Sequence, residues 1–279
     1  MAKVIMIQGT ASGVGKTMLT LALCRIFKQD GYSVAPFKAQ NMTANTHITE
    51  AGDEIAVSQW LQSLAAGIEP SPDMNPIILK PSTEHNTTLI MLNGKPFDTI
   101  NAYNYKGVKQ KLVTEIMAAY TRLSTKYDVI IIEGAGSPVE LNLNKDDIVN
   151  MGMAKRANTP VLLVADIDRG GVFASLYGTI NLMDETERAY VKATVVNRFK
   201  GEPVYFADGI KILEDITKLP VAGVIPYIAI NLDEEDSLFY GDAHALQSID
   251  YESQFDNIAD NVRKSLDMEL IYKILNDGV

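Results

Sequence analysis

Residues 9–17 read Gly9-Thr10-Ala11-Ser12-Gly13-Val14-Gly15-Lys16-Thr17, directly after the apolar run Val4-Ile5-Met6-Ile7. A glycine-rich turn between a strand and a helix, closing on Lys-Thr, is the layout of a phosphate-binding loop. Small residues let backbone N–H groups approach phosphate oxygens, and the following helix N-terminus adds positive potential. Thr10, Gly13, Val14 and Gly15 are then expected to supply the cradle. Lys16 is expected to bridge the β- and γ-phosphates, and the Thr17 hydroxyl to reach Mg²⁺. Gly9 to Gly15 leaves five intervening residues rather than the common four, and Thr10 stands at the usual first-glycine position.

Outward from this loop the chain alternates two patterns. Nearly continuous apolar runs predict strands over Lys3–Gln8, Ser33–Lys38, Asp128–Ile132, Val161–Ala165, Ala193–Val196 and Val221–Ile225, as expected for strands covered on both faces. Amphipathic stretches predict helices over Lys16–Gln29, Glu54–Ala66, Lys106–Thr125, Ile148–Arg156, Val172–Asp184 and Pro203–Thr217. Strands alternating with helices imply a doubly wound, mainly parallel α/β sheet. Thr87–Asn93, followed by Asn93-Gly94, reads as an inserted strand and turn. From Asp250 onward Phe255, Ile258, Ala259, Val262, Leu266, Ile271 and Ile274 recur at helical spacing. The reading is a nucleotide-binding domain over residues 1–240 and an acidic helical extension over 241–279.

Composition narrows the function class. The 279 residues are 47% hydrophobic and 22% charged, which excludes intrinsic disorder. Net charge is −10, and residues 230–279 hold 12 acids against 3 bases, so nearly all the excess lies there. A nucleic-acid binder needs a basic face, and this chain offers none. No apolar run approaches the roughly 20 residues of a membrane span. The N-terminus enters a strand without the layout of a signal peptide, which predicts a cytoplasmic protein. A single cysteine, Cys24, allows no internal disulfide; its place among Leu21, Ala22, Leu23 and Ile26 predicts a buried apolar residue. His47, His85 and His244 lack metal-ligand spacing.

A phosphate loop usually works with an acid at the end of another strand. Tyr127-Asp128-Val129-Ile130-Ile131-Ile132-Glu133-Gly134-Ala135-Gly136 places Glu133 at the carboxyl end of a buried strand, where open parallel sheets bind ligands. Glu133 is therefore a Mg²⁺-ligand candidate. Glu54 is a second, with capping of a helix N-terminus as its alternative role.

These motifs resemble a known family. The five-residue gap in Gly9–Thr17 and Glu133-Gly134-Ala135-Gly136 are similar to the dethiobiotin-synthetase-like P-loop NTPases that form amides. Phe37-Lys38-Ala39-Gln40-Asn41-Met42, Met74–Pro81, Asn150–Ala154, Val164–Ala174 and Leu232–Leu238 resemble the cobyric acid synthases more closely. The resemblance covers residues 3 to about 240. It implies ATP- and Mg²⁺-dependent amidation of the b, d, e and g carboxylates of adenosylcobyrinic acid a,c-diamide, through acyl phosphates. It also implies site roles. Lys16, Lys38 and Glu133 would serve the phosphoryl transfer, and Thr17, Glu133 and Glu54 would hold the metal. Asn197, at a strand end where relatives read the adenine edge, would bind the base; a turn-forming Asn is its alternative. Gln40, Asn41, Lys80 and Arg169 would meet the corrinoid, with an ion pair or helix cap as the alternative for Arg169.

The chain also departs from that family. Cobyric acid synthases usually carry a C-terminal glutamine amidotransferase domain with a cysteine nucleophile, and residues 241–279 are too few to form one. Either a separate glutaminase subunit supplies ammonia, free ammonia is used, or the chain is a fragment of a longer protein. Related partition ATPases carry an extra lysine that reaches across a dimer, and Ala11 stands at that position. A homodimer remains compatible with the sequence. The alternatives are a related carboxylate-activating enzyme, such as cobyrinic acid a,c-diamide synthetase or dethiobiotin synthetase, and a non-enzymatic partition-type ATPase.

Overall fold

In a computed structural model, which describes residues 2–82, 87–100, 105–142, 147–229 and 250–279, the strand before the phosphate loop is the middle of the main sheet. This strand, β1 (Lys3–Gly9), leads through the loop into helix α1 (Lys16–Gln29) and then to β2 (Val34–Phe37). The later strands β9 (Val129–Glu133), β10 (Val161–Asp166), β11 (Val191–Phe199) and β12 (Val221–Pro226) complete a six-stranded parallel sheet in the order β12-β11-β10-β1-β9-β2. The chain builds outward from β1 on one side with β9 and β2, and on the other with β10. The strand order thus reverses beside β1, and a crevice opens at the carboxyl ends there. β1 delivers the phosphate loop to that crevice and β9 delivers Glu133.

The apolar runs are continuous because both faces of the sheet are covered. Ile5, Ile7, Val129, Ile131, Leu162 and Val164 pack into one core with α1. Met6, Ile130, Ile132, Leu163 and Ala165 point the other way into a second core. That core also holds side chains from α3 (Tyr105–Lys126), α4 (Met151–Ala157) and α5 (Val172–Leu182). Alternate residues therefore take opposite faces, as strand geometry requires. Each fully buried Ile or Leu contributes about 1.5–3 kcal/mol.

The insertion after β2 is larger than the expected single strand. β3 (Gln40–Met42), β6 (Ile77–Ser82), β7 (Thr87–Leu92) and β8 (Lys95–Ile100) form a second sheet in that order, parallel at β3–β6 and antiparallel beyond. The expected Asn93-Gly94 turn joins β7 to β8; both residues have positive φ, 48° and 78°, as a tight hairpin demands. A small hairpin, β4 (Thr46–Ile48) with β5 (Glu54–Ala56), precedes α2 (Val57–Ala66). The helix expected over Glu54–Ala66 is corrected accordingly. Its first three residues are extended, because they pair with β4 and the Glu54 N–H bonds to the Gly94 carbonyl at 3.0 Å.

Three other helices also shift at their ends. The one expected from Ile148 starts at Met151, after Asp147 has taken the amides of Val149 and Asn150. The one expected from Pro203 opens as a 3₁₀ turn, Pro203–Phe206, before α7 (Ala207–Thr217). α5 stops at Leu182, and Asp184 instead caps the short α6 (Glu185–Arg188).

The last elements, α8 (Tyr251–Ser265) and α9 (Met268–Asp277), lie against α1 and the main sheet. Phe255, Ile258, Ala259, Val262, Ile271, Ile274 and Leu275 are buried in the same core as Ile5 and Leu23. Asp250 and Asp267 cap the two helices through the amides of Ser253 and Leu270. The Leu232–Leu238 block, His85, His244 and the 240/241 boundary lie outside the described residues. No helix among the described residues is long and apolar enough to cross a membrane.

Candidate active site

A cavity of about 340 Å³ opens over the phosphate loop. Ser12, Gly13, Gly15, Lys16 and Thr17 line it from the loop and α1, and Lys38 and Asn41 from the β2–β3 segment. Ala135 and Gly136 follow β9, and Asn197 and Arg198 end β11. A second stretch of wall is largely apolar, from Met18, Leu21, Leu61, Tyr227, Ile228 and Ile258. A concave site with convergent cations beside an apolar wall suits a ligand that is anionic at one end and aromatic at the other.

The loop geometry explains its glycines. Gly15 precedes α1 with φ +97°, a left-handed conformation that disfavours side chains, and a Cβ there would strike the Asn197 amide. The Asn197 side chain donates to the Val14 carbonyl at 2.8 Å, while its Oδ1 is buried with no hydrogen-bond partner among the described residues. Thr10 does not lend its amide to the cradle, because that N–H bonds the Val164 carbonyl at 2.9 Å and extends the β1–β10 ladder. The Lys16 ammonium reaches the carbonyls of Ala11 (3.0 Å) and Gly136 (3.2 Å), spanning the loop and the turn after β9.

Glu133 is the centre of the charged cluster. Its carboxylate is buried, at 1% exposure, which is costly unless the charge is paired and hydrogen-bonded. Oε1 accepts from the Thr17 hydroxyl at 2.8 Å and from the Lys38 ammonium at 3.0 Å. Oε2 accepts from Gln62 at 2.6 Å. The turn after Glu133 is fixed by Asn150, whose side chain donates to the carbonyls of Ala135 (2.6 Å) and Ser137 (3.2 Å) and accepts from the Ala135 amide (3.1 Å).

A family model described as the CobQ/CobB/MinD/ParA nucleotide-binding domain matches residues 5–238. The chain belongs to this family. Among curated relatives, a cobyric acid synthase of Lachnoclostridium phytofermentans is 53% identical over 242 residues, covering 85% of this chain and 47% of that protein. One of Ruminiclostridium cellulolyticum is 52% identical over 238 residues, with 85% and 46% covered. The chain thus spans about half the length of the curated relatives it matches. Among solved structures, the MinD cell division protein of Aquifex aeolicus is similar at a TM-score of 0.42 and 16% identity, covering 81% of this chain and 83% of that one.

Within this nucleotide-binding family frame, the expected residues fall into two groups. Gly13, Val14, Gly15, Lys16, Thr17, Lys38, Glu133, Asn197 and Asn41 converge on or beside the cavity. Glu54 and Lys80 instead engage each other, with Thr46 bonded to both, and neither lines the cavity. Burial pushes the Glu54 carboxyl up, but the Lys80 and Thr46 hydrogen bonds outweigh it and hold the group below its ordinary range. Gln40 lies next to Asn41 on β3 without lining the cavity. Arg169 is 76% exposed and lies 3.8 Å from Asp166, which also pairs with Arg198 at 3.2 Å. Arg169 thus takes its ion-pair alternative in this structure.

The sequence reading missed Gln62 and the structural role of Asn150. Helical spacing puts Gln62 on the buried side of α2, and a polar residue at an apolar-face position was the available signal. Cys24 is fully buried, and burial together with the nearby Glu133 charge pushes its thiol well above the ordinary range. It takes the buried, apolar place expected of it.

Proposed function

We propose that the chain is an ATP- and Mg²⁺-dependent carbon–nitrogen ligase of the cobyric acid synthase type, acting in cobalamin biosynthesis. Its substrate would be adenosylcobyrinic acid a,c-diamide, amidated at the b, d, e and g carboxylates. The observation that carries the reading is that Lys16, Thr17 and Lys38 line one cavity, with the buried Glu133 bonded to Thr17 and Lys38, in a chain 53% identical to a cobyric acid synthase.

The chemistry follows from these residues. A carboxylate is a poor acyl donor, so one of its oxygens attacks the γ-phosphorus of ATP and ADP leaves, giving an acyl phosphate. Ammonia then attacks the acyl carbon, loses a proton, and phosphate departs with the electron pair of the broken C–O bond. Phosphoryl transfer requires alignment and neutralised oxygen charge more than covalent help. Lys16, released from the Ala11 and Gly136 carbonyls, would hold phosphate oxygens. Lys38, bonded to the same Glu133 oxygen as Thr17, would hold the attacking carboxylate near the loop. Asn197 would offer Oδ1, a buried acceptor with no partner among the described residues, to an adenine amino group.

Thr17 Oγ1 and Glu133 Oε1, hard oxygens 2.8 Å apart, fit Mg²⁺, which commonly takes few protein ligands and fills its shell with phosphate and water. When bound, the ion neutralises charge on the β- and γ-phosphate oxygens. Ammonia would be the attacking nitrogen nucleophile, and the site would lie in the cytoplasm.

Mass spectrometry tests the reading directly. Adenosylcobyrinic acid a,c-diamide is incubated with ATP, Mg²⁺ and ammonium, and each replacement of OH by NH₂ shifts its mass by a fixed step. Four such steps are expected. ATP turnover with no mass change in the corrinoid would favour a partition-type ATPase instead.

A further inference from the structure

A chain of buried side-chain amides leads from the cavity to Glu133. Asn41, on the cavity wall, donates to Ser58 Oγ (3.2 Å) and Gln59 Oε1 (3.1 Å). Gln59 Nε2 donates to Gln62 Oε1 at 3.4 Å, and Gln62 Nε2 donates to Glu133 Oε2 at 2.6 Å and to the Thr17 carbonyl at 3.4 Å. Gln59 and Gln62 are both completely buried. Two glutamines, three positions apart on one helix and inside a protein core, have a desolvation cost that only full hydrogen bonding offsets. Their order is also directional. A glutamine that accepts at Oε1 must present its N–H₂ at the other end, so Gln59 fixes which way Gln62 points, and Gln62 fixes the rotation of the Glu133 carboxylate.

We propose that Gln62, held by Gln59, is a positioning residue for Glu133. By occupying Oε2 it turns Oε1 toward Thr17 and Lys38, so the metal-binding oxygen is set before nucleotide arrives. The inference rests on the nucleotide reading above and adds to it the outer residues that tune metal affinity. Groups that orient a ligating side chain typically change metal affinity 10–100-fold when removed.

The test measures binding rather than turnover. Calorimetric Kd values for ATP are obtained with and without Mg²⁺ for the unaltered chain, Gln62→Met and Gln59→Met, with melting curves to confirm folding. Methionine keeps the volume and removes the amide. Gln62→Met is expected to lower the Mg²⁺-dependent gain in ATP affinity at least about tenfold, while Mg²⁺-free affinity stays within about twofold. Gln59→Met, which does not touch Glu133, should cause a smaller loss in the same direction. A structural role alone would weaken both affinities together, and that result, or an unchanged Mg²⁺ gain in Gln62→Met, overturns the inference. If Gln62→Met does not fold, Gln59→Met decides alone. Failure of the unaltered chain to bind ATP at all is a separate result, which removes the nucleotide reading and this inference with it.

Discussion

Glu133 shows how one carboxylate organises the site. Buried between Thr17, Lys38 and Gln62, it balances the Lys38 ammonium, itself only 4% exposed. Glu133→Gln removes the carboxylate charge that this buried ammonium faces, a change that destabilises because the charge is desolvated. The expected outcome is a lower melting temperature, a higher Mg²⁺ requirement and a rate reduced by orders of magnitude; an unaltered Mg²⁺ titration would remove Glu133 from the metal site. Lys16 has a different standing. Its ammonium bonds two carbonyls, so Lys16→Ala should abolish ATP hydrolysis while circular dichroism stays unchanged. Asn197→Ala takes away both the contact to Val14 and the unpaired Oδ1. ATP preference over GTP should relax, and retained strict preference would place base reading on another group.

At the scale of elements, the docking of α8 on α1 is the contact that charge can test. Arg25, almost buried on α1, bonds Glu252 and Asp256 of α8, each at 2.7 Å. The Arg25 hydrogen bond holds the Asp256 carboxyl below its ordinary value. A carboxylate with a lower pKa folded than unfolded adds stability above the unfolded value, about 4, and the contribution fades as pH falls through the folded value. Because Asp256 is half exposed, the effect is small. Asp256→Asn should therefore lower the melting temperature slightly at neutral pH, and the difference from the unaltered chain should vanish in acid. A difference that persists at low pH would show that packing, not charge, was lost. The elements themselves were largely legible in sequence where apolar runs were long: β1, α1, β9 and β10 form where expected. The strands β3, β4 and β5 were not, since three-residue strands rich in Gln, Asn, Thr and Glu carry no usable periodicity.

Over the whole molecule, the C-terminal helices do more than follow the nucleotide-binding core. Residues beyond 238 lie outside the family match, yet Ile258 of α8 is part of the cavity wall and of the core around β1. Ile258→Ala should cost about 2–5 kcal/mol, read from denaturant unfolding. It should also weaken ATP binding more than binding of inorganic tripolyphosphate if, as proposed, the apolar wall takes the nucleoside and the loop takes the phosphates. Equal weakening of both ligands would place Ile258 in the scaffold alone.

The sequence by itself determined the phosphate loop, the parallel sheet that presents it and the acid at the end of β9. Each of these is written in neighbouring residues: a glycine spacing, an apolar run, a charge at the run's end. Only the tertiary structure decided what those residues touch. Gln62 meets Glu133 across 71 positions, Asn197 meets Val14 across 183, and Glu54 takes Lys80 as its partner. A polar side chain can bond to any complementary group within reach, so local pattern announces its burial but not its partner. The partner is selected by how the layers pack, and in this chain α2, packed on α1 and β2, comes within reach of the end of β9, and the end of β11 lies against the loop.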